Sequence, residues 1–424
     1  MKQPTIVIFD YGSQYTRLIS RRLREINVFC DLVNPEIDKS FFEDRDIKGF
    51  ILSGGPNSVF DDNSPNIPDW VMEINKPILG ICYGMQLLAI NQSGKVEKTQ
   101  KREYGNSILS IKEDSKLFSG IPKNINVWMS HEDKIINLPQ NFKIIGKTDN
   151  SFCAAFEKDL IYGVQFHPEV DNTAYGNKIL ENFAINICNT SNNWTARNFI
   201  DKSIENIKNE VQDNKVICGI SGGVDSSITA TLIHKAIGNK LTSIFVDNGL
   251  LRKGESEDVM NFLKNSLGLN IIKVDAKENF LNKLKNIIDP EKKRKIIGKE
   301  FIDVFEKEAK KIDDVKYLAQ GTLYSDIVES AITKNGHQVI IKSHHNVGGL
   351  PEKMNLKLLE PLKLHFKDEV RDIGYELGID KEIIERHPFP GPGLAIRIIG
   401  KITEQKLNIL READHIFIDE IKKA

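Results

Sequence analysis

The chain has 424 residues, of which 40% are hydrophobic and 28% are charged, and its formal net charge is -1. This length exceeds what one ordinary core supports, so two or three domains are expected, and the composition is that of a folded protein rather than a disordered one. A nearly neutral chain has no global field that would draw it to nucleic acid or to an anionic membrane, so neither is expected as a partner.

The cysteines and the amino terminus indicate a reducing compartment. The five cysteines are scattered and form no CxxC pair, which argues against a disulfide framework or a zinc site. They are Cys30, Cys82, Cys153, Cys188 and Cys218. The chain begins with a strand-like segment rather than a signal peptide, and no run approaches the roughly 20 apolar residues of a membrane span. A cytoplasmic protein is expected.

The first half alternates short apolar runs with helical periodicity, which predicts a parallel sheet covered by helices. A helical pattern covers 15–26. The predicted strands are 5–9, 49–52, 77–81 and 161–166. Between Cys188 and Lys215 the sequence turns polar, and the Asn- and Ser-rich stretch 189–193 is the expected seam between two domains.

The second half repeats the α/β pattern, with a new strand beginning at Val216. Further strands are predicted at 241–246, 270–274, 316–319 and 339–342. The lysine-rich stretch 289–299 is expected to be an exposed, mobile loop. The final segment, 404–424, has a helical pattern with apolar residues on more than one stripe, so this helix is expected to need cover on more than one side.

A cysteine lies at a predicted turn between a strand and a helix. The pattern Gly80-x-Cys82-x-Gly84 follows the apolar run 77–81 and precedes a helical pattern. It is the cysteine form of a nucleophile elbow, in which glycines permit a tight turn and the helix N-terminus favours the thiolate. A buried cysteine that acts only as a small hydrophobe is the alternative for this motif taken alone.

Two downstream residues supply what such a nucleophile needs. His167 and Glu169 follow the predicted strand 161–166, at the sheet edge where the elbow is also expected. A base and a group that orients it complete a nucleophilic triad, so Cys82, His167 and Glu169 are candidates for those roles. Gly54 and Gly55 follow another strand, and their backbone N–H groups are candidates for an oxyanion hole, with a plain turn as the alternative.

In this chain order, the elbow, the Ser-Gly-Gly-Pro turn and the His-Pro-Glu segment resemble the class I glutamine amidotransferases. The resemblance implies that Cys82 attacks the side-chain amide of glutamine, that His167 protonates the departing ammonia and that Glu169 orients His167. It also implies that Gln86 and the segment 130–133 lie near the glutamine pocket.

A glycine-rich turn in the second half predicts a phosphate site. A buried strand leads into a Ser-Gly-Gly turn that opens a helix, where glycines, hydroxyls and the helix N-terminus can hold an anion. The residues are Ser221, Gly222, Gly223, Val224, Asp225, Ser226 and Ser227. No Lys stands where a kinase-like P-loop has one, and the alternative is a turn that only caps a helix. Asp225 is the candidate ligand for Mg²⁺.

This SGGxDS turn resembles the signature of the ATP pyrophosphatases, enzymes that split ATP between its α and β phosphates. Five further segments, together with it, resemble the GMP synthase family. They are 10–15, 245–253, 320–330, 343–351 and 386–394. The implied fold is α/β with two doubly wound domains, a class I glutamine amidotransferase domain over 1–190 and a Rossmann-like ATP pyrophosphatase domain over 191–393.

The same resemblance implies a reaction and further site residues. Xanthosine monophosphate is adenylylated by ATP, with Mg²⁺ on the phosphates, and ammonia from glutamine then displaces AMP to give GMP. Lys293 and Lys295 are expected in a lid over ATP, with a solvated charged loop as the alternative, and Arg252 is expected to meet the phosphate of the acceptor nucleotide.

Family members continue into a small C-terminal domain that pairs subunits and completes the acceptor site. Residues 394–424 are therefore expected to begin a dimerisation domain. The protein is expected to be a homodimer when that domain is whole. In a chain of this length, GMP synthesis is expected to be impaired. Two alternatives remain at this point. One is another amidotransferase–pyrophosphatase ligase of the NAD-synthetase type, and the other is a non-catalytic binding module.

Overall fold

The computed structural model of the chain describes residues 2–62, 64–331, 356–387 and 389–423. The chain divides into two units, Met1–Thr195 and Ala196–Ala424. The polar stretch 189–193 lies in the first unit shortly before this division, and the segment 394–424 belongs to the second. The predicted strand 339–342 and the segment 343–351 lie outside the described residues.

The first unit contains a nine-stranded mixed sheet. Its strands are β1 Gln3–Phe9, β2 Cys30–Val33, β3 Arg45–Leu52, β4 Ile78–Ile81, β5 Lys95–Ile111, β6 Asn124–Asn137, β7 Lys143–Lys147, β8 Ala155–Lys158 and β9 Ile161–Val164. Their order is β2-β1-β3-β4-β9-β8-β7-β5-β6. Strands β1, β2, β3, β4 and β9 pair in parallel, whereas the pairs among β8, β7, β5 and β6 are antiparallel.

Helices pack on the parallel part of this sheet. They are α1 Thr16–Glu25, α2 Asp69–Glu73, α3 Tyr83–Asn91 and α4 Gly176–Glu181. Successive residues of β1 are buried on opposite faces, with Ile6 and Ile8 in one apolar cluster and Val7 and Phe9 in another. A strand whose two faces are both buried is an apolar run without alternation, which is why its sequence predicted a parallel sheet.

The four strands predicted in the first half and the helix 15–26 are confirmed within a few residues. The antiparallel strands β5 to β8 were not predicted. Strand β6 alternates between buried and exposed positions over most of its length. Such alternation is typical of a strand with one solvated face, and an uninterrupted apolar run does not occur there.

The second unit contains a five-stranded sheet that is parallel throughout. Its strands are β10 Lys215–Ile220, β11 Leu241–Asp247, β12 Ile271–Asp275, β13 Val315–Ala319 and β14 Lys357–Leu359, in the order β12-β11-β10-β13-β14. The chain leaves β10 toward β11 and later returns to add β13 on the other side. The carboxyl ends of β10 and β13 therefore flank a topological switch point, the usual ligand crevice of such sheets.

Nine helices in the described part of the second unit surround this sheet. They are α5 Ala196–Val211, α6 Val224–Ile237, α7 Glu255–Asn261, α8 Lys277–Leu284, α9 Pro290–Ala309, α10 Tyr324–Ala331, α11 Lys367–Glu376, α12 Lys381–Ile384 and α13 Glu404–Lys423. The strands predicted from Val216 to residue 319 are confirmed, and β14 was not predicted. Along the described ranges, no helix is both long and apolar enough to cross a bilayer.

The prediction of an exposed loop over 289–299 is wrong, because these residues form the first part of helix α9. The Asp289 side chain caps the helix by accepting from the Lys292 amide at 2.7 Å, and Pro290 is at the first helical turn, where a missing N–H costs nothing. The Asp-Pro pair was thus the informative signal, and the lysine content was misleading.

Lys293 is fully buried rather than placed in a lid. Its Nζ donates to the carbonyl oxygens of Ile398 at 2.7 Å, Gly400 at 2.8 Å and Ala395 at 3.3 Å. In this arrangement Lys293 fastens α9 to the chain at 395–400, so the lid position expected for it is corrected. Lys295 is exposed on the same helix, and its lid role stays a prediction.

Candidate active sites

The elbow at Cys82 has the strained backbone that its motif requires. Cys82 follows β4 and precedes α3, with φ 51° and ψ -104°. A non-glycine residue in that region is costly, and such strain persists only when the surrounding packing imposes it. A Cβ on Gly84 would lie 2.3 Å from the Leu52 carbonyl oxygen, and one on Gly80 would lie 2.6 Å from the Gly84 backbone. Both glycines are therefore needed to bring α3 against β3 and β4.

Strand pairing brings the downstream residues to this elbow. β4 and β9 are parallel neighbours with Ile81 opposite Val164, and the Cys82 amide donates to the Val164 carbonyl at 2.8 Å. The residues that follow β9 therefore lie beside the sulfur. The His167 Nδ1–H donates to the Glu169 Oε1 at 2.7 Å, and both side chains are buried. The structure thus brings Cys82, His167 and Glu169 together.

The electrostatic environment favours a protonated imidazole. Burial alone lowers the pKa of His167, but the Glu169 carboxylate and the contacts with Cys82 outweigh it, so the pKa is raised well above its usual value. The ring of Tyr15 also lies edge-on to the imidazole, with centroids 5.1 Å apart. An imidazolium beside a sulfur favours the thiolate, the form in which cysteine is a nucleophile.

Gly54 and Gly55 lie beside the Cys82 elbow and His167. A Cβ on Gly54 would be 3.0 Å from Cε1 of His167, and a Cβ on Gly55 would be 3.4 Å from the Tyr83 ring and 2.8 Å from the Tyr11 carbonyl oxygen. The backbone of this turn can approach the elbow only because neither residue has a side chain. The geometry is compatible with an oxyanion hole, and that role stays a prediction.

The segment 130–133 also reaches the elbow. The Cys82 thiol donates to the Ser130 carbonyl at 3.5 Å, and Gln86 Nε2 donates to the Asp133 carbonyl at 3.1 Å. One neighbour of the sulfur was missed from the sequence. Gln165 Nε2 lies 3.7 Å from the Cys82 Sγ, inside the protein. A glutamine at a strand end is chemically ambiguous, so only the structure singles it out.

The remaining cysteines do not share this environment. Burial raises the pKa of Cys153 and of Cys218 to about 12, and it also raises the pKa of Cys188. Thiols of this kind are protonated at neutral pH and unreactive. All five cysteines are free of disulfides, and none of the four others lies at a turn from a strand into a helix.

The predicted phosphate loop joins β10 to α6 at the switch point of the second sheet. Gly222 has φ +77°, and a Cβ there would lie 2.6 Å from Val259, so only glycine fits. Ser226 Oγ donates to the Gly223 carbonyl at 3.1 Å, and the Gly223 amide donates to Ser221 Oγ at 3.3 Å. The turn and the N-terminus of α6 form a ready site for an anion.

Two basic residues contact this loop. Lys367 was not predicted as a site residue, and Arg386 begins the family-like segment 386–394 but was assigned no role of its own. The Lys367 ammonium, at the start of α11, pairs with the Asp225 carboxylate. Arg386 Nη1 donates to the Gly222 carbonyl at 3.0 Å, and its Nη2 pairs with the buried Glu255. These contacts bridge 142 and 164 residues of chain, respectively, and such separations are invisible to local pattern analysis.

The Arg252 side chain is bound by other residues of the same chain. Its Nε lies 3.0 Å from Asp414 Oδ2 on α13, and its Nη1 donates to the His387 carbonyl at 3.2 Å. The guanidinium also lies 4.4 Å from the centroid of the Phe389 ring. Burial lowers the pKa of Arg252 against the opposing effect of Asp414. Its role toward the acceptor's phosphate stays a prediction.

Comparison with known proteins matches each unit to a different family model. Residues 7–187 match the glutamine amidotransferase class-I family, and residues 196–301 match the NAD synthase family. The chain is 53% identical over 426 aligned residues to the Clostridium kluyveri protein named GMP synthase [glutamine-hydrolyzing], covering 100% of this chain and 83% of that protein. The chain belongs to the GMP synthase family.

Two other relatives with that name lead to the same assignment. The Lactobacillus acidophilus protein is 52% identical over 99% of this chain and 81% of its own length, and the Clostridium botulinum protein is 50% identical over 100% and 83%. The NAD synthase model covers only part of the second unit, whereas the GMP synthases match the chain throughout. Membership of the GMP synthase family is therefore favoured over the NAD-synthetase-like alternative.

Proposed function

We propose that the chain synthesises GMP from xanthosine monophosphate, using glutamine as the nitrogen source and ATP as the activating substrate. One observation carries the proposal. A Cys82–His167–Glu169 set and a phosphate loop of the pyrophosphatase type occur in one chain that is about half identical, along its whole length, to proteins named GMP synthase [glutamine-hydrolyzing].

In the first unit, the Cys82 sulfur attacks the side-chain carbonyl carbon of glutamine. The backbone N–H groups at Gly54 and Gly55 receive the charge that develops on the oxygen. His167, held by Glu169, gives its proton to the nitrogen as the C–N bond breaks, so ammonia leaves and a thioester remains on Cys82. Water then attacks the thioester with His167 as base, and glutamate and the free thiol are restored.

In the second unit, the 2-oxygen of xanthosine monophosphate attacks the α-phosphorus of ATP, and pyrophosphate leaves into the loop 221–227. Ammonia then attacks C2 of the purine and displaces AMP. The loop amides, the N-terminus of α6 and Lys367 supply positive potential for the departing pyrophosphate. Arg386 keeps the loop in shape through its bond to Gly222.

Mg²⁺ fits this loop as a partner of the nucleotide. The ion commonly uses one or two protein carboxylates and completes its shell with water and substrate phosphates. Asp225 offers one such carboxylate, and the described residues contain no cluster of three His, Cys, Asp or Glu ligands. Asp225, which contacts Lys367 in this structure, would hold Mg²⁺, and the ion would neutralise phosphate charge. A homodimer and a cytoplasmic location stay predictions.

The test is pyrophosphate release from ATP by the purified chain, measured with and without xanthosine monophosphate, together with GMP formation from glutamine or from an ammonium salt. We expect pyrophosphate release to depend on xanthosine monophosphate. Release without it would favour an NAD-synthetase-like ligase, and absence of release and GMP with either nitrogen source would favour a binding module.

A further inference from the structure

In the described part of the chain, three polar groups contact the sulfur of Cys82, and they have opposite effects on its ionisation. His167, whose pKa is raised by the Glu169 carboxylate and then by its contacts with Cys82 against the opposing effect of burial, favours the thiolate. The Ser130 carbonyl oxygen, 3.5 Å away, can only accept a hydrogen bond and so favours the protonated thiol. The third neighbour is the Gln165 amide nitrogen at 3.7 Å, which can only donate.

The position of Gln165 is fixed by the sheet rather than by a flexible loop. Its backbone amide donates to the Ala154 carbonyl at 2.9 Å, one residue beyond the pairing of Ala155 with Val164. On the other side of β9, the Cys82 amide is bonded to the Val164 carbonyl. Gln165 is 1% exposed, so water does not compete for its amide group.

We propose that Gln165 is a catalytic residue of the glutamine site, whose side-chain N–H donates to the Cys82 sulfur and stabilises the thiolate. A hydrogen bond to a charged acceptor in a dry site is stronger than one between neutral groups. It opposes the effect of the Ser130 carbonyl, which can only accept a hydrogen bond from the thiol. The proposal rests on the proposed role of Cys82 as nucleophile.

The experiment measures the rate at which Cys82 is alkylated by iodoacetamide as a function of pH, with the modified residue located by mass spectrometry. Gln165→Leu replaces the amide with an apolar group of similar size. Gln165→Asn keeps the amide but shortens the side chain away from the sulfur. Both variants should move the midpoint of the alkylation profile upward by about 1 pH unit.

Two readouts separate the possible failures. GMP synthesis from an ammonium salt should stay at the wild-type rate in both variants, which shows that the second unit is intact. A midpoint that is unchanged or lower in the folded variants overturns the role of Gln165, even if glutamine is still hydrolysed. Wild-type Cys82 that is alkylated no faster than an ordinary thiol, in a chain that does not hydrolyse glutamine, overturns the proposed function instead. If the leucine variant does not fold, the asparagine variant decides.

Discussion

His167 and Glu169 are joined by a 2.7 Å hydrogen bond between two side chains that are almost wholly inaccessible to water. The two residues are two positions apart in sequence and form an ion pair. His167 also contacts the Cys82 sulfur. Because a buried ion pair has few other partners, removing one of its members should change both the stability of the protein and the reactivity of the site.

Glu169→Gln should destabilise the protein in a pH-dependent way. The folded-state pKa of His167 is raised above the ordinary value of about 6.5. Protonation therefore stabilises the folded state, and this contribution is fully present below about pH 6.5 and is lost as pH rises through the raised pKa. Melting temperatures of both proteins between pH 6 and pH 10 should differ most at pH 6 and converge at high pH. A difference that does not vary with pH would contradict the ion pair.

Cys82→Ala should abolish glutamine-dependent GMP synthesis, by about 10³-fold or more, and leave ammonia-dependent synthesis unchanged. In the proposed mechanism the Cys82 thiol only releases ammonia, whereas the second unit activates the nucleotide. GMP formation with each nitrogen source measures both. Cys153→Ala is the matched control, since burial raises its pKa to about 12 and the thiol is inert. Equal loss with both sources would make Cys82 structural.

Asp225→Asn and Lys367→Met should each lower the rate of AMP formation by roughly 10- to 100-fold, the effect of losing one charged hydrogen bond to the phosphates or their metal. Both side chains are substantially exposed, so their mutual ion pair contributes little to stability. Melting temperatures should therefore stay near that of the wild type. AMP release at the wild-type rate in either variant would remove that residue from the site.

Lys293→Met should destabilise the second unit by about 2–4 kcal/mol, because it leaves three buried carbonyl oxygens without their donor. Denaturant unfolding measures the change. Lys295→Met, on the exposed side of the same helix, is the matched control and should stay within about 0.5 kcal/mol of the wild type. Similar, small effects of both substitutions would show that the Lys293 contacts are not structural.

The parts of the sites that the sequence predicted are those built by short stretches of chain. Cys82 and the loop 221–227 are each a strand, a glycine turn and a helix start in direct succession, so local spacing carries their geometry. The bounds of the buried parallel strands could also be predicted from local sequence, because a strand buried on both faces is apolar without interruption.

The missing parts depend on contacts that local patterns do not encode. Lys367 and Arg386 reach the phosphate loop from positions far along the chain. A lone lysine in a helical pattern usually means a solvated surface, and the family-like segment 386–394 did not by itself indicate a partner for Arg386. The error at α9 has another origin. There, lysine content outweighed the capping signal of Asp289 and Pro290, although a cap is the more direct cause of a helix.

The bond from Arg386 to the Gly222 carbonyl has a consequence for the synthesis of the chain, because it joins residues that are translated at very different times. The three residues Cys82, His167 and Glu169, and Thr173, which donates to the His167 carbonyl, are all translated by residue 173. The phosphate loop, in contrast, needs a partner that lies 164 residues further along the chain than Gly222. Since domains generally fold as they emerge from the ribosome, N-terminal first, the glutamine site can mature on a nascent chain well before the nucleotide site exists. A stalled or prematurely terminated product would then carry a complete amidotransferase site beside an unfinished ligase.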